Sequence, residues 1–325
     1  MKLIIQIPCY NEEDTLTATV DDLPRQIDGI DVIEYLIIDD GSRDKTVEVA
    51  RKVGIHHIVS FKSNRGLARA FEAGVDACLK LGADIIVNTD ADNQYNGKDI
   101  KKLISPILKN AAEIVVGERP ISTTEHFSAT KKIMQKFGSF VVRKASGTKV
   151  PDAPSGFRAY TREAALRLNV INNYTYTLET IIQAGHNRIP ITSVPIRTNP
   201  DTRESRLFKS MWKYIQQSAI VIIRSLMMYR PLKFFLILGG IVSTAGVAVI
   251  IRWLLLSNFG QINGHTQSLI LATMLIIIGV QFIVAGLQAD IIAANRKILE
   301  DVQYRVRKME CNDNKRTSSD SMERF

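Results

Sequence analysis

Asn88-Thr89-Asp90-Ala91-Asp92-Asn93-Gln94 places two carboxylates one residue apart, with a neutral amide two residues further on. On an extended turn these side chains point to one side and offer hard oxygen ligands, the preference of Mg2+ or Mn2+, with a bound diphosphate supplying other ligands. A bare Asp-x-Asp is common by chance and is usually a solvated turn. This one directly follows an apolar run, Asp84 to Thr89, and two other polar clusters share that setting. Pro8-Cys9-Tyr10-Asn11-Glu12-Glu13 follows Lys2 to Ile7, and Asp39-Asp40-Gly41-Ser42-Arg43-Asp44-Lys45-Thr46 follows Glu34 to Ile38. Acids before Gly-Ser at a strand end can receive ribose hydroxyls and base donors, while Gly41 permits a tight turn. An Asp-rich turn can also merely cap a helix, but the pairing of two such clusters favours ligand binding. After a further run, His57 to Ser60, comes Asn64-Arg65-Gly66, in which Arg65 can reach a diphosphate.

The elements that must position these clusters alternate. Buried-strand patterns at Lys2 to Ile7, Glu34 to Ile38, His57 to Ser60, Asp84 to Thr89 and Glu113 to Gly117 are apolar almost throughout. Between them, Asn11 or Glu12 to Leu23, Thr46 to Val53, Gly66 to Leu81 and Asp99 to Asn110 carry apolar residues at helical spacing. Asp44 and Asn96 are plausible caps. The fold class is therefore α/β, a doubly wound, mostly parallel sheet, and such sheets bind ligands outside the carboxyl ends of their strands.

Composition bounds the rest. A chain of 325 residues accommodates one catalytic domain and about 100 residues more. A net charge of +9 suits a phosphate-bearing partner. The cysteines, Cys9, Cys78 and Cys311, are distant and odd in number, which suggests neither a disulfide framework nor a zinc cluster and fits a reducing compartment. The apolar segment Leu3 to Ile7 is too short for a signal-peptide core, so the N-terminal part is expected to stay in the cytosol. Residues 232–257 and 268–290 are each long and apolar enough to cross about 30 Å of hydrocarbon. Their connection has no Lys or Arg, whereas both outer flanks are rich in them, which puts both ends in the cytoplasm. Arg252 lies near enough to the outer end of its span to snorkel. Residues 207–231 are amphipathic with Trp212 and Tyr214, as expected of a helix on an anionic membrane face. The organisation expected is a cytoplasmic catalytic domain 1–206, juxtamembrane helices 207–231, two spans, and a cytoplasmic basic tail 291–325 whose end, after Met309, is disordered.

On these residues the chain resembles the inverting glycosyltransferases of family 2, with a GT-A fold, and within them the polyprenyl-phosphate or dolichyl-phosphate hexosyltransferases. The resemblance covers residues 3 to about 210. Pro8, Tyr10 and Glu12 match the opening motif, and Asp39-Asp40-Gly41-Ser42 the second signature. The resemblance implies that these cradle the nucleoside, with Ile37 and Asp39 close to it. Asp90, Ala91, Asp92 and Gln94 match the metal and diphosphate motif, where Asp92 and Gln94 would touch Mg2+ or Mn2+ directly and Asp90 through water. Gly117-Glu118-Arg119 matches a Gly-x-Arg element, and Asp152-Ala153-Pro154-Ser155-Gly156-Phe157-Arg158-Ala159 matches the most family-specific segment. Glu179 stands at an acidic position on the next helix, and Pro195-Ile196 matches the strand before a basic loop. That loop usually reads Gly-x-Ser-Lys-Leu. Here it reads Arg203-Glu204-Ser205-Arg206-Leu207, with arginines for the glycine and the lysine.

The reaction so implied is in-line attack by a lipid phosphate oxygen on the anomeric carbon of a nucleotide sugar, with inversion. A phosphate monoester has a second pKa of about 6 and needs no strong base. The metal and Arg203 or Arg206 would neutralise the leaving diphosphate. Arg119, Lys131 and Lys132 would hold the acceptor phosphate, although the lysine pair reads equally as a solvated helix face. Asp152 and Glu179 would orient the sugar hydroxyls. GDP-mannose is the implied donor by family prevalence, with UDP-glucose or UDP-N-acetylhexosamine next. The acceptor implied is a polyprenyl or dolichyl phosphate in the cell membrane, with no nucleic-acid partner; a homo-oligomer is compatible with this organisation. Among other classes, the lack of Gly-x-Gly-x-x-Gly after the first strand argues against a nucleotide-dependent oxidoreductase. Only two spans and no Gln-x-x-Arg-Trp segment argue against a processive polysaccharide synthase. A non-catalytic sugar-nucleotide sensor would need a damaged metal motif, and this one is intact.

Overall fold

The computed structural model describes residues 1–120, 138–144, 146–170, 175–200, isolated positions between 216 and 229, 231–258 and 266–322. Seven strands form one sheet: β1 (Lys2–Cys9), β2 (Val32–Asp39), β3 (His57–Ser60), β4 (Ile85–Asn88), β5 (Ile114–Glu118), β6 (Arg158–Thr161) and β7 (Ile191–Pro195). Their order is β3-β2-β1-β4-β6-β5-β7. β6 runs antiparallel to both neighbours and the other pairings are parallel.

The strands read as continuous apolar runs because each face of the sheet is covered. Leu3, Ile5 and Ile7 join one core with α1 (Leu16–Asp21) and α4 (Ile100–Leu108). Ile4, Leu36 and Ile38 join a second with α3 (Leu67–Lys80) and α5 (Arg162–Arg167). α2 (Thr46–Lys52) and α6 (Thr177–His186) also belong to this unit. The strand order reverses on either side of β1, so the carboxyl ends of β1, β2 and β4 form a crevice of the kind in which doubly wound sheets bind ligands.

Several elements differ from their expected extents. β1 continues through Cys9, so the first polar cluster leaves the sheet only at Tyr10. α1 starts at Leu16, later than Asn11 or Glu12, because Asn11 adopts a left-handed φ of 54° and Glu12 is bonded elsewhere. β6 carries no strand signature, since it is four residues long and opens with the fully buried Arg158. That arginine is tolerated because Ser155 O, Ala153 O and Thr180 Oγ1 accept its hydrogen bonds.

A second compact unit comprises residues 223–300. It contains α7 (Pro231–Asn258) and the first part of α8 (Thr266–Met322), two helices long and apolar enough to cross a membrane. Ile237 and Ile241 are 65% and 64% exposed, so these helices are not core elements of a soluble fold. Gly239 and Gly279 let their backbones approach closely, as small residues do between membrane helices. α8 continues to Met322, where the polar composition after Met309 predicts disorder. In the other unit, Met1–Ile222 with Asp301–Phe325, this helix is anchored: Tyr304 donates to Glu163 at 2.7 Å, Arg307 donates to Leu168 O at 2.7 Å, and Cys311 is buried.

Where α3 crosses β1 and β2, a Cβ on Gly74 would meet Gln6 Oε1 and stand 2.6 Å from Ile38 Cδ1. Overpacking of this kind costs about 1–3 kcal/mol. Gly74→Ala is therefore expected to lower the thermal unfolding midpoint by several degrees in the detergent-solubilised chain, while Gly54→Ala, at a site with open space around it, serves as a comparison carrying only the strain of a positive φ.

Candidate active site

The first two polar clusters are laced together because β1 and β2 pair in parallel with Cys9 opposite Asp39. Asn11 N donates to Ser42 Oγ and Arg43 N to Asn11 Oδ1, at 2.9 and 2.8 Å. Glu12 N donates to Thr46 Oγ1 at 2.8 Å. Asp39 Oδ1 receives Ser42 N, and Asp44 Oδ1 receives Thr46 N at the start of α2. Asp40 accepts Arg65 N and Gly66 N at 2.7 and 2.9 Å, so it holds the start of α3. Gly41 has φ of 72°, and a Cβ there would strike the backbone of Ser63, which explains the glycine. Pro8 and Ile37 are buried, Ile37 within the core, whereas Tyr10 is exposed. Burial, reinforced by Glu12, Asp39 and Asp44, pushes the Cys9 thiol well above its ordinary pKa, which leaves it no nucleophile.

The Asp90 turn rests on a buried polar chain. Gln6 Nε2 donates to Asn88 Oδ1 at 2.9 Å, and Asn88 Nδ2 donates to Gly156 O and Tyr176 Oη at 2.9 and 2.8 Å. Thr19 Oγ1 donates to Ala91 O, and Gln94 N donates to Asp92 Oδ1. Asn93 between them has φ of 55°. Gly156 lies beneath Asp90, where a Cβ would come within 3.0 Å of both carboxylate oxygens. Its N–H donates to Tyr95 Oη at 3.0 Å, and Phe157 stacks on Tyr95 at 5.1 Å. The Ser-Gly-Phe-Arg segment therefore supports the turn: glycine for clearance, phenylalanine for stacking, arginine as a buried tie to α6.

The electrostatics favour a cation. Burial, then the charge of Asp92, raises Asp90 to about 7, with Arg119 opposing and Glu12 adding to the rise. Arg119, just beyond β5, meets Asp152 in a bidentate pair, Nε to Oδ2 at 2.7 Å and Nη2 to Oδ1 at 2.9 Å. Burial alone would lower the arginine's pKa, but Asp152, Tyr95 and Asp90 raise it, so it is always charged. The Asp152 side chain is fully buried and both of its oxygens are engaged by Arg119, which makes it an orienting group for that arginine. Glu179 is buried in the first turn of α6.

Among the described residues no three His, Cys, Asp or Glu side chains gather as a metal site. Asp90 and Asp92 with Gln94 nevertheless suit a hard divalent ion that takes its remaining ligands from substrate and water, because two adjacent carboxylates otherwise repel each other.

The structure thus gathers Glu12, Asp90, Asp92 and Arg119, with Asp152 behind the last. Arg65 it places differently. Its guanidinium lies 5.1 Å from the Phe61 ring centroid, in a groove of about 790 Å³ shared with Arg69, Glu72 and Arg307, and no residue of the Asp90–Gln94 turn lines that groove. Lys131, Lys132, Arg203 and Arg206 lie outside the described residues. Sequence reasoning missed Gln6, Asn88, Tyr95, Tyr176 and Thr19 as supports of the turn. Gln6 and Asn88 did leave a signal, as polar residues inside two otherwise apolar strands that pair in register.

Residues 4–168 match glycosyl transferase family 2, and the chain belongs to that family. It is a glycosyltransferase. Over 213 residues it is 32% identical to UDP-N-acetylglucosamine–dolichyl-phosphate N-acetylglucosaminyltransferase of Methanococcus voltae, covering 59% of this chain and 83% of that protein. Polyprenol monophosphomannose synthase of Mycolicibacterium smegmatis is 25% identical over 206 residues, 60% of this chain and 76% of that one. Glucosyl-3-phosphoglycerate synthase from Mycobacterium tuberculosis, crystallised with Mn2+, UDP and glucosyl-3-phosphoglycerate, shares the fold with a TM-score of 0.53 and 20% identity, over 70% of this chain and 78% of that one.

Removing one member of a buried ion pair costs about 3–5 kcal/mol, whereas replacing both by apolar groups is often neutral. Asp152→Ala should therefore lower the unfolding midpoint more than the double variant Asp152→Ala, Arg119→Met. Equal losses would show that the pair does not act as a unit.

Proposed function

We propose that the protein transfers a hexose, first of all mannose from GDP-mannose, to a polyprenyl or dolichyl phosphate, with inversion and with Mg2+ or Mn2+. The observation that carries this reading is the Asp90–Gln94 turn facing the permanently charged Arg119 at the carboxyl ends of parallel strands. The two exposed apolar helices and the lipid-phosphate acceptors in the names of both relatives support a lipid acceptor.

Tyr10, Glu12 and Asp39, with the backbone at Pro8 and Ile37, form the cradle for the nucleoside. Asp92 and Gln94 would hold the metal, with Asp90 assisting through water, and the bound ion would supply positive charge for the leaving diphosphate. Arg203 and Arg206 add to that charge from the basic loop, and Ala91 keeps the turn compact. Arg119 binds the acceptor phosphate, held in its direction by Asp152, and Lys131 and Lys132 are assigned to the same phosphate by the family resemblance alone. Glu179 orients the sugar. The phosphate is already anionic at neutral pH, so the site works by charge placement and needs no strong base. The basic outer flanks of the spans support a cytoplasmic side of the cell membrane for the catalytic unit and the C-terminus. The name of the Methanococcus voltae relative favours a second donor, UDP-N-acetylglucosamine.

Membranes containing the protein, given Mn2+ and radiolabelled GDP-mannose, UDP-glucose or UDP-N-acetylglucosamine, are expected to label lipid phosphate from one donor. Loss of a transition-state charge contact typically slows turnover by about 100- to 1,000-fold. Asp92→Ala should lose at least that much while the protein stays membrane-bound. Undiminished wild-type turnover in excess EDTA would refute the metal role.

A further inference from the structure

The start of α3 and the anchored part of α8 border a groove of about 790 Å³, lined by Phe61, Arg65, Arg69, Glu72, Asp76 and Arg307. Small ligands occupy pockets of roughly 300–1,000 Å³. All six residues belong to the unit Met1–Ile222 with Asp301–Phe325, and neither Arg119 nor the Asp90–Gln94 turn lines the groove. Its charges do not balance. Asp76 is matched by Lys80, whose Nζ lies 2.8 Å from that carboxylate. Glu72 then faces three guanidinium groups, meeting Arg69 Nη1 at 2.8 Å and Arg307 Nη2 at 3.9 Å. An excess of two positive charges remains.

The arginines are held in different ways. Arg307 donates through Nη1 to Leu168 O at 2.7 Å and its side chain is 16% exposed, so its fork is fixed before any ligand arrives. Arg69 follows on the first turn of α3, tied to Glu72. Arg65 stands just before that helix, with its backbone N–H on Asp40 Oδ1 at 2.7 Å and its guanidinium 5.1 Å from the Phe61 ring centroid. Among the described residues this guanidinium has no hydrogen-bonded or carboxylate partner. The ring attracts the cation and leaves N–H groups available to an anion.

We propose that this groove is a second anion site, which takes the phosphate monoester of a ligand carried in solution or on a lipid headgroup. Such a group brings a charge of about −1.5 to −2 at neutral pH, which matches the excess, whereas a carboxylate would leave one guanidinium uncompensated. Glu72 already bridges Arg69 and Arg307, so it repels an incoming phosphate and competes with it for those two groups. The chemistry of the groove does not depend on which sugar or acceptor the Asp90 turn serves.

The test is calorimetric titration of the full-length protein with glycerol 3-phosphate in excess EDTA, in nanodiscs of phosphatidylcholine alone and in nanodiscs that also contain phosphatidic acid. In phosphatidylcholine the wild type is expected to bind glycerol 3-phosphate and to bind acetate, at equal ionic strength, far more weakly. A hydrogen bond to a charged group corresponds to about ten-fold in affinity. Arg65→Gln removes a guanidinium that has no carboxylate partner, and is expected to weaken binding by about that factor without moving the unfolding midpoint. Glu72→Gln is expected to tighten binding by about three-fold, the opposite of what loss of a merely structural ion pair would do. If phosphatidic acid abolishes glycerol 3-phosphate binding, the ligand is a lipid headgroup; if binding persists, it is a soluble phosphate, and both results support the site. No binding in phosphatidylcholine, equal binding of acetate, or binding that neither variant changes, as at Arg119, overturns the proposal.

Discussion

One hydrogen bond, from Gln6 to Asn88 across two buried parallel strands, lies beneath everything the site does. Buried amides in strands of isoleucine, leucine and valine are costly unless paired, and a shift of the pairing by one residue would turn both to the wrong face. The pair therefore fixes the register of β1 against β4. Asn88 passes that register on, since its Nδ2 reaches Gly156 just before β6 and Tyr176 at the N-cap of α6. The Asp90 turn and the loop beneath it are placed by the same amide. Such a chain specifies a single arrangement because each unmet donor would carry its full desolvation penalty.

Charge placement follows from that arrangement. Asp90 is packed against Gly156, whose N–H donates to Tyr95 and whose neighbour Phe157 stacks on that ring, so the carboxylate beside Asp92 sits in a close-fitting turn. Arg119 is the permanent cation nearby, and Asp152 keeps it from swinging onto Asp90. The result is a pair of carboxylates next to a permanent cation, which is the pairing the proposed function uses for a divalent ion and a phosphate. Those are the two requirements for joining a sugar diphosphate to a phosphate acceptor.

The parallel half of the sheet and its crevice were legible because strands buried on both faces must be apolar runs, and the polar clusters had to follow them. Helix starts were less legible. Asn11 and Glu12 look helical by spacing, yet their backbones bond to Ser42 and Thr46, contacts between residues about thirty apart that no local pattern reports. β6 was hidden for a related reason, as Arg158 in a strand makes sense only once Ala153, Ser155 and Thr180 are seen around it. Asp152 was expected to orient sugar hydroxyls, whereas its bidentate pairing with Arg119 is a matter of tertiary geometry that no local pattern reports. The continuation of α8 was missed because its anchors, Tyr304 on Glu163 and Arg307 on Leu168, lie on distant elements.

On the function proposed above, the turn and Arg119 bring a leaving nucleoside diphosphate and a lipid phosphate to one anomeric carbon. Mass spectrometry of the products made by the purified chain from Mn2+, nucleotide sugar and a synthetic polyprenyl phosphate tests it most directly. The account predicts a lipid heavier by one hexosyl or N-acetylhexosaminyl residue, with a single phosphate, and one nucleoside diphosphate released for each. A lipid carrying two phosphates with release of nucleoside monophosphate, or no lipid product while the sugar passes to another acceptor, would contradict it.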